Sequence, residues 1–128
     1  MIFVDSNVFI YAVGRSHPLK AEAQNFFLGS SKEGKRLVTS AEVLQELLHV
    51  YLPVDRMETL DAAMELATQG VDQVISIDSA AVLHARNLAN NFPGLTARDL
   101  LHLSTCQLNK IKELKTFDRN LLAAFKKG

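Results

Sequence analysis

The sequence has few of the residues that mark several classes of protein. It contains one cysteine, no tryptophan, three prolines and six glycines among 128 residues. A single cysteine cannot form an internal disulfide, which indicates a reducing compartment. Hydrophobic residues make up 48% of the chain, a share that excludes a disordered or low-complexity protein. We therefore expect a globular cytoplasmic protein.

An excess of charge of one sign and long hydrophobic runs are also absent. Fourteen basic and fourteen acidic side chains balance, which excludes a basic nucleic-acid coat protein but leaves room for a local basic patch. No apolar run approaches the ~20 residues needed to cross a bilayer. The N-terminus reaches Asp5 without the basic segment of a signal peptide. We expect a single domain over residues 1–128 with no membrane association.

Four short apolar segments alternate with helical patterns along the chain. Strands are predicted at 2–4, 37–38, 74–77 and 113–117, and helices at 8–13, 19–28, 39–52, 56–69, 79–89, 97–108 and 119–125. The second helix is expected to end at Gly29, Ser30 and Ser31. Its inner side is expected to carry Ala21, Ala23, Phe26, Phe27 and Leu28. Strands separated by helices need crossover connections, which predicts an α/β sandwich with a mainly parallel sheet.

Two aspartates come directly after predicted strands. Asp5 follows the first strand and Asp118 the last. Ligands of open α/β sheets bind outside the carboxyl ends of the strands, so both are candidate site residues. The alternative for each is an ordinary helix N-cap, for which Asp is well suited. Asp78 also follows a strand, and we interpret it as a cap.

A third aspartate lies in a helix that is apolar on most sides. Asp99 shares one line of this helix with Leu103 and Cys106. A buried charge is costly unless it is paired or binds a metal. The alternative is a capping box in which Thr96 is the N-cap and Asp99 the third helical residue.

Two glutamates occupy the predicted helix 39–52. Glu46 borders its apolar face, whereas Glu42 lies further onto the polar side. Thr39 and Glu42 have the spacing of a capping box, so Glu42 is predicted to be structural. Glu46 is the predicted site residue.

Convergence of these acids would create a cluster of like charges. Asp5, Glu46, Asp99 and Asp118 could not all remain ionised together without a cation. Mg²⁺ or Mn²⁺ suits carboxylate ligands. Such ions activate water and stabilise the leaving oxygen in phosphodiester cleavage.

Four segments resemble the sequence motifs of PIN-domain proteins, in the same order. They are Phe3–Ala12, Thr39–Leu47, Ala97–Ser104 and Thr116–Leu121. The resemblance implies a three-layer α/β/α sandwich around a mainly parallel sheet of four to five strands. It also implies that Asp5, Glu46, Asp99 and Asp118 are catalytic and hold one or two Mg²⁺ or Mn²⁺ ions, supported by Ser6, Asn7 and Thr116. Ser104 and Leu121 stand where Ala and Phe are commoner.

The short chain is most similar to the VapC-type members of that family. This resemblance implies a metal-dependent endoribonuclease that acts on RNA as the toxin of a toxin–antitoxin pair. It further implies inhibition by a small antitoxin protein and a homodimer.

Other interpretations remain open from the sequence. One is a PIN-domain nuclease of RNA processing without a toxin role, and another is a non-catalytic interaction module. A phosphatase using Asp5 as nucleophile is less suitable, because Asn7 stands where a second Asp is usual. His102 is interpreted as a packing residue rather than a base. The basic C-terminal stretch from Lys110 to Lys127 could contact RNA phosphates or form a solvated surface.

Overall fold

A parallel sheet forms the centre of the computed structural model, which describes all residues from Met1 to Gly128. Its four strands are β1 (Ile2–Val4), β2 (Leu37–Ser40), β3 (Gln73–Ile75) and β4 (Glu113–Lys115), in the order β3-β2-β1-β4. All three pairings are parallel. The uninterrupted apolar run of β1 is fully buried, as a central strand covered on both faces requires.

Seven α-helices and one short 3₁₀ turn connect and cover the strands. They are α1 (Ser6–Val13), α2 (Pro18–Lys32), α3 (Ala41–Tyr51), the 3₁₀ turn Leu52–Val54, α4 (Met57–Gln69), α5 (Ser79–Leu88), α6 (Ala97–Leu108) and α7 (Arg119–Lys127). α1 packs on α2, α3 and α4, while α6 packs on α5 and α7. The predicted α/β/α sandwich is confirmed. None of the helices is long and apolar enough to cross a membrane.

The strand order changes direction at β1, because successive strands are added first on one side of β1 and then on the other. From β1 the chain adds β2 and then β3 on one side, and it returns to add β4 on the other. In open α/β sheets, ligands bind at such a switch point, outside the carboxyl ends of the strands. Here that place lies between the ends of β1 and β4.

Polar side chains begin most of the helices. Asp5, Ser40, Asp78, Thr96 and Asp118 are N-caps whose side chains accept hydrogen bonds from backbone N–H groups of the helices that follow. Asp78, predicted to be a cap, accepts from Ala81 N at 3.0 Å. Thr96 accepts from Asp99 N at 3.2 Å, so this half of the predicted capping box forms.

The predicted end of the second helix is wrong. α2 continues through Gly29 to Lys32, because Ala23, Phe26, Phe27 and Ser30 follow the spacing of one helical stripe that faces the core. Leu28 falls off that stripe and is 62% exposed, and Ala21 is exposed as well. One glycine inside a helix costs only about 1 kcal/mol, which this packing offsets.

The predicted Thr39 capping box is also wrong. Thr39 belongs to β2, and its hydroxyl donates to the Val4 carbonyl at 2.8 Å. The N-cap of α3 is Ser40, which accepts from Val43 N at 3.4 Å. Glu42 is then the second helical residue, one position short of the third, where a box requires it.

This assignment predicts different effects on stability at neighbouring positions. Ser40→Ala removes the cap and is expected to lower the free energy of unfolding by about 1 kcal/mol. Glu42→Ala loses only a partly exposed ion pair with Arg98 at 3.7 Å and is expected to cost less than about 0.5 kcal/mol. Urea denaturation of both variants measures the difference. A larger loss of stability for Glu42→Ala than for Ser40→Ala would contradict this assignment and support the capping box of Thr39 and Glu42.

Candidate active site

Asp5 is the most enclosed acid at the switch point. It ends β1, caps α1 and is 4% exposed. One oxygen, Oδ1, accepts from Ser6 N at 2.7 Å, and Oδ2 accepts from Thr116 Oγ1 at 2.8 Å and Asn7 Nδ2 at 3.3 Å. Ser6 and Asn7 lie in α1, whereas Thr116 follows β4. Donors from both elements therefore fix the orientation of the Asp5 carboxylate.

Asn7 and Thr116 join the start of α1 to the end of β4. Asn7 donates to Thr116 Oγ1 at 3.2 Å and accepts from Phe117 N at 3.1 Å. Thr116 Oγ1 also accepts from Asp118 N at 3.0 Å. These bonds replace sheet pairing beyond Lys115, which is why β4 ends two residues earlier than predicted. The residues predicted to support Asp5 therefore do contact it.

Glu46 reaches the same place from α3. Ser6 Oγ donates to Glu46 Oε2 at 2.8 Å. His102 Nε2 contacts Glu46 Oε1 and lies 3.5 Å from Asp5 Oδ1. A carboxylate only accepts hydrogen bonds, so Nε2 carries a hydrogen in this arrangement and is the donor.

Burial and the histidine shift the pKa values of these groups. Burial raises the pKa of Asp5 above its usual value, and the charge of His102 opposes it only in part. Burial also acts to raise the pKa of Glu46, but the hydrogen bond and charge of His102 and the bond from Ser6 together lower it. Burial acts to lower the pKa of His102, whereas Glu46 and Asp5 raise it above the usual value. Its Nδ1 is buried without a partner.

Asp99 and Asp118 lie further out. Asp118 Oδ1 caps α7, accepting from Asn120 N at 2.9 Å and Leu121 N at 3.1 Å. Burial raises the pKa of Asp99, followed by the negative charge of Asp118 and, less, that of Asp5. The acids thus act on one another electrostatically although no hydrogen bond joins them.

The tightest group in the site is not the predicted set of four acids. Asp5, Glu46 and His102 each offer a ligand atom, and these atoms lie within 4.8 Å of one another. Asp99 and Asp118 lie outside this group. The side chains of Glu46 and Glu42 are 14% and 19% exposed, so burial does not separate the two glutamates. Their partners do, because Glu42 faces Arg98 whereas Glu46 faces Ser6 and His102.

The donor set suits a hard divalent cation. Asp5 and Glu46 bring two carboxylates together at the base of the site, and Asp99 and Asp118 add negative charge at its rim. Burial raises the pKa of Asp5, and a cation bound beside it would favour its ionised form. His102 is not an available ligand while its Nε2–H binds Glu46.

His102 is the residue that the sequence interpretation assigned to packing and left out of the site. It is 1% exposed and packs against Phe3 with ring centroids 5.6 Å apart. His102 does pack against Phe3, as interpreted, but its Nε2 also faces the carboxylates of Asp5 and Glu46. The available signal was its position three residues after Asp99, which places both on neighbouring positions of one helix face.

Comparison with known proteins places this geometry in a family. The sequence profile described as PIN domain matches residues 2–127. The chain belongs to the PIN-domain family. It is 51% identical to Ribonuclease VapC23 of Mycobacterium tuberculosis over 126 residues, which cover 98% of this chain and 99% of that protein.

Solved structures of PIN-domain proteins share the fold. VapC20 of M. tuberculosis, described as a sarcin-ricin loop cleaving toxin, superposes with a TM-score of 0.82 at 17% identity and covers 97% of this chain and 95% of its own. VapBC2 of Rickettsia felis, solved with a DNA fragment from its promoter, gives 0.65 at 16% identity, covering 92% and 100%.

Two departures from the usual PIN motifs are accommodated locally. The extra hydroxyl of Ser104 is fully buried and donates to the Ala81 carbonyl at 2.7 Å. Leu121 is also fully buried. Neither side chain disturbs the acids.

The raised pKa of Asp99 predicts a pH-dependent stability change. An acid with a raised folded-state pKa stabilises the fold only below its unfolded pKa, and this contribution is lost as the pH rises through the folded value. Without metal, Asp99→Asn should therefore be more stable than the parent at neutral pH, and the advantage should disappear below about pH 4.

Melting temperatures measured in EDTA across this range test it. Asp61→Asn, which changes an exposed aspartate of α4, is the matched control and should show no such advantage. An Asp99→Asn chain that is less stable than the parent at neutral pH would contradict the electrostatic assignment.

Proposed function

We propose that this PIN domain is a metal-dependent endoribonuclease and the toxin of a VapBC-type pair. The observation that carries the proposal is the convergence of Asp5 and Glu46 at the switch point of the sheet, in a chain 51% identical to a ribonuclease. Asp5, Glu46, Asp99 and Asp118 are the proposed catalytic acids. A non-catalytic module would not need a buried carboxylate with an unfavourable pKa at this place.

Each side chain has a distinct part in the proposed site. Asp5 is held rigidly by three donors and presents an oxygen at the base of the site. Ser6 and His102 each bind one oxygen of Glu46 and so fix its rotamer. They are positioning residues, because they act through Glu46. Asp118 caps α7 through Oδ1, and its Oδ2 accepts no protein hydrogen bond.

The proposed cofactor is one or two Mg²⁺ or Mn²⁺ ions. Asp5 and Glu46 would hold the ion, with Asp99 and Asp118 at the rim. When bound, such an ion supplies activation of water and stabilisation of the leaving oxygen. The protein contributes the fixed carboxylate oxygens and the negative potential that attracts the cation.

The proposed partners follow from this assignment. RNA is the substrate, and a small antitoxin is the inhibitor. An antitoxin segment carrying Arg or Lys would suit the acidic site, since a guanidinium fork pairs with carboxylates. We also propose a homodimer and a cytoplasmic location. A phosphatase is disfavoured because the amide of Asn7 binds Asp5 and Thr116, where that chemistry would want a second acid.

The first test separates the two glutamates. Glu46→Gln keeps the size of the side chain and removes the charge. It is expected to lower RNA cleavage by at least about a hundredfold, because the loss of an outer-shell partner of a metal already costs up to that factor and Glu46 would hold the ion directly. Glu42→Gln should leave cleavage within about threefold of the parent, because Glu42 pairs with Arg98 and makes no hydrogen bond to Asp5, Ser6 or His102.

Cleavage of labelled RNA with and without EDTA measures both variants, and melting curves confirm that they fold. If both glutamine variants cleave as well as the parent, Glu46 is not a catalytic acid. If the parent chain cleaves no RNA with either metal, the ribonuclease proposal fails.

The second test concerns the metal itself. A cation that binds only the folded state stabilises it by mass action, and a hundredfold excess over its Kd adds about 2.7 kcal/mol. Mn²⁺ is therefore expected to raise the melting temperature of the parent chain and to leave that of Asp5→Asn nearly unchanged. Thermal denaturation in EDTA and in Mn²⁺ shows this. Equal shifts in the two chains would place the metal elsewhere.

A further inference from the structure

A cavity with basic side chains in its lining lies at the C-terminal end of α1, whereas Asp5 caps the N-terminal end. It has a volume of about 380 Å³ and is formed where the C-terminal ends of α1 and α3 meet the N-terminal ends of α2 and α4. Arg15, His17 and Arg56 line it, and no acidic residue does. The volume lies within the range of ligand-binding pockets, and the charge favours an anion.

One wall of this cavity carries an unsatisfied donor. Tyr51 is 5% exposed, lines the cavity, and has a hydroxyl with no hydrogen-bond partner. Buried polar groups are almost always paired. Burial raises the pKa of Tyr51 although the charge of Arg56 opposes it, so the hydroxyl keeps its proton. Arg56 is only partly buried.

The beginning of α4 adds a third anion-binding feature. Arg56 is the N-cap of this 13-residue helix, and no side chain caps its N-terminus. Helix N-termini attract phosphate through their free N–H groups and their dipole. Arg56 instead donates to Thr59 in the first turn at 3.4 Å, which holds its guanidinium beside the helix end.

An aromatic path connects the cavity to the catalytic acids. Phe117, next to Asp118, contacts Tyr11 edge-on with centroids 5.5 Å apart, and Tyr11 contacts His17 at 4.6 Å. Lys115 Nζ lies 5.0 Å from the centroid of Phe117. Tyr11 is about 9 Å from Asp5 along the axis of α1. Basic groups interleaved with aromatic rings are the usual surface for single-stranded RNA.

We propose that this cavity binds a backbone phosphate of the RNA strand that is cleaved at Asp5. Arg15, Arg56 and Tyr51 bind the phosphate. The nucleotide between this phosphate and the cleaved bond lies along the rings of Phe117 and Tyr11. The proposal rests on the ribonuclease function. RNA is favoured over an acidic peptide because the aromatic path is continuous with the catalytic acids.

Tyr51→Phe provides the sharpest test, because it removes only the hydroxyl. As a merely buried, unpaired group, the hydroxyl costs stability, so its removal should leave the melting temperature unchanged or higher. As a phosphate ligand, its loss should raise the Kd for RNA by about tenfold, the effect of losing one hydrogen bond to a charged group. Both are measured in the Asp5→Asn background with a pool of random-sequence single-stranded RNA, so that no cleavage occurs.

Arg56→Gln supplies a second, independent readout. Its loss should raise the Kd by a similar factor and reduce the slope of log Kd against log salt by about 0.7, the value for one phosphate on a single strand. Tyr51→Phe should leave that slope unchanged. Arg36→Gln removes the same charge outside the cavity lining, at the start of β2, where Arg36 binds Gln73, and should change neither quantity.

The outcomes separate the two proposals. If the Asp5→Asn chain binds RNA and neither cavity variant weakens it, the cavity proposal is wrong and the ribonuclease function stands. If the variants weaken the antitoxin complex but not RNA binding, the cavity is a protein-binding site and the RNA proposal is overturned. If the parent chain neither binds nor cleaves RNA, both proposals fail together.

Discussion

The burial of one carboxylate, Asp5, is the constraint on which the candidate site depends. A buried ionised group is stable only where donors surround it, and Asp5 receives three, from Ser6, Asn7 and Thr116. These donors belong to the first helix and to the last strand. The hydrogen bonds that solvate Asp5 therefore also hold β4 beside β1, and the fold and the site share the same contacts.

A second consequence of this burial is the role of His102. Two acids close together need positive charge or a shared proton, and His102 supplies its Nε2–H to Glu46 beside Asp5. The same ring packs on Phe3 in the core. A single residue thus connects the electrostatics of the site to the packing of α6 against the sheet, and this is why a purely structural interpretation of it was incomplete.

The parts of the structure that could be predicted are those determined by short-range rules. Asp5, Thr96 and Asp118 are polar residues directly before helical patterns, and all three are N-caps. The boundaries of α6 were predicted correctly for the same reason. The end of α2 and the cap of α3 depend on tertiary contacts instead. Ser30 is buried by packing, and Thr39 is drawn into β2 by its bond to Val4.

The candidate site also contains residues that the sequence identifies and one whose place depends on tertiary packing. The family motifs identified Asp5 and Glu46, but sequence spacing could not show that His102, rather than Asp99 or Asp118, is their nearest ionisable neighbour. Side-chain distances across three separate helices are set by how those helices pack, which no local pattern encodes.

The strand order has a consequence for the order of synthesis. β1 is made first and stands inside the sheet, but one of its two neighbours, β4, is the last strand to be made. A nascent chain that ends before β4 already contains Asp5, Glu46 and Asp99, yet it lacks the threonine that binds Asp5 and the strand that covers one edge of β1. The Thr116 bond to Asp5 and the pairing of β4 with β1 therefore form only after the other three strands have been made.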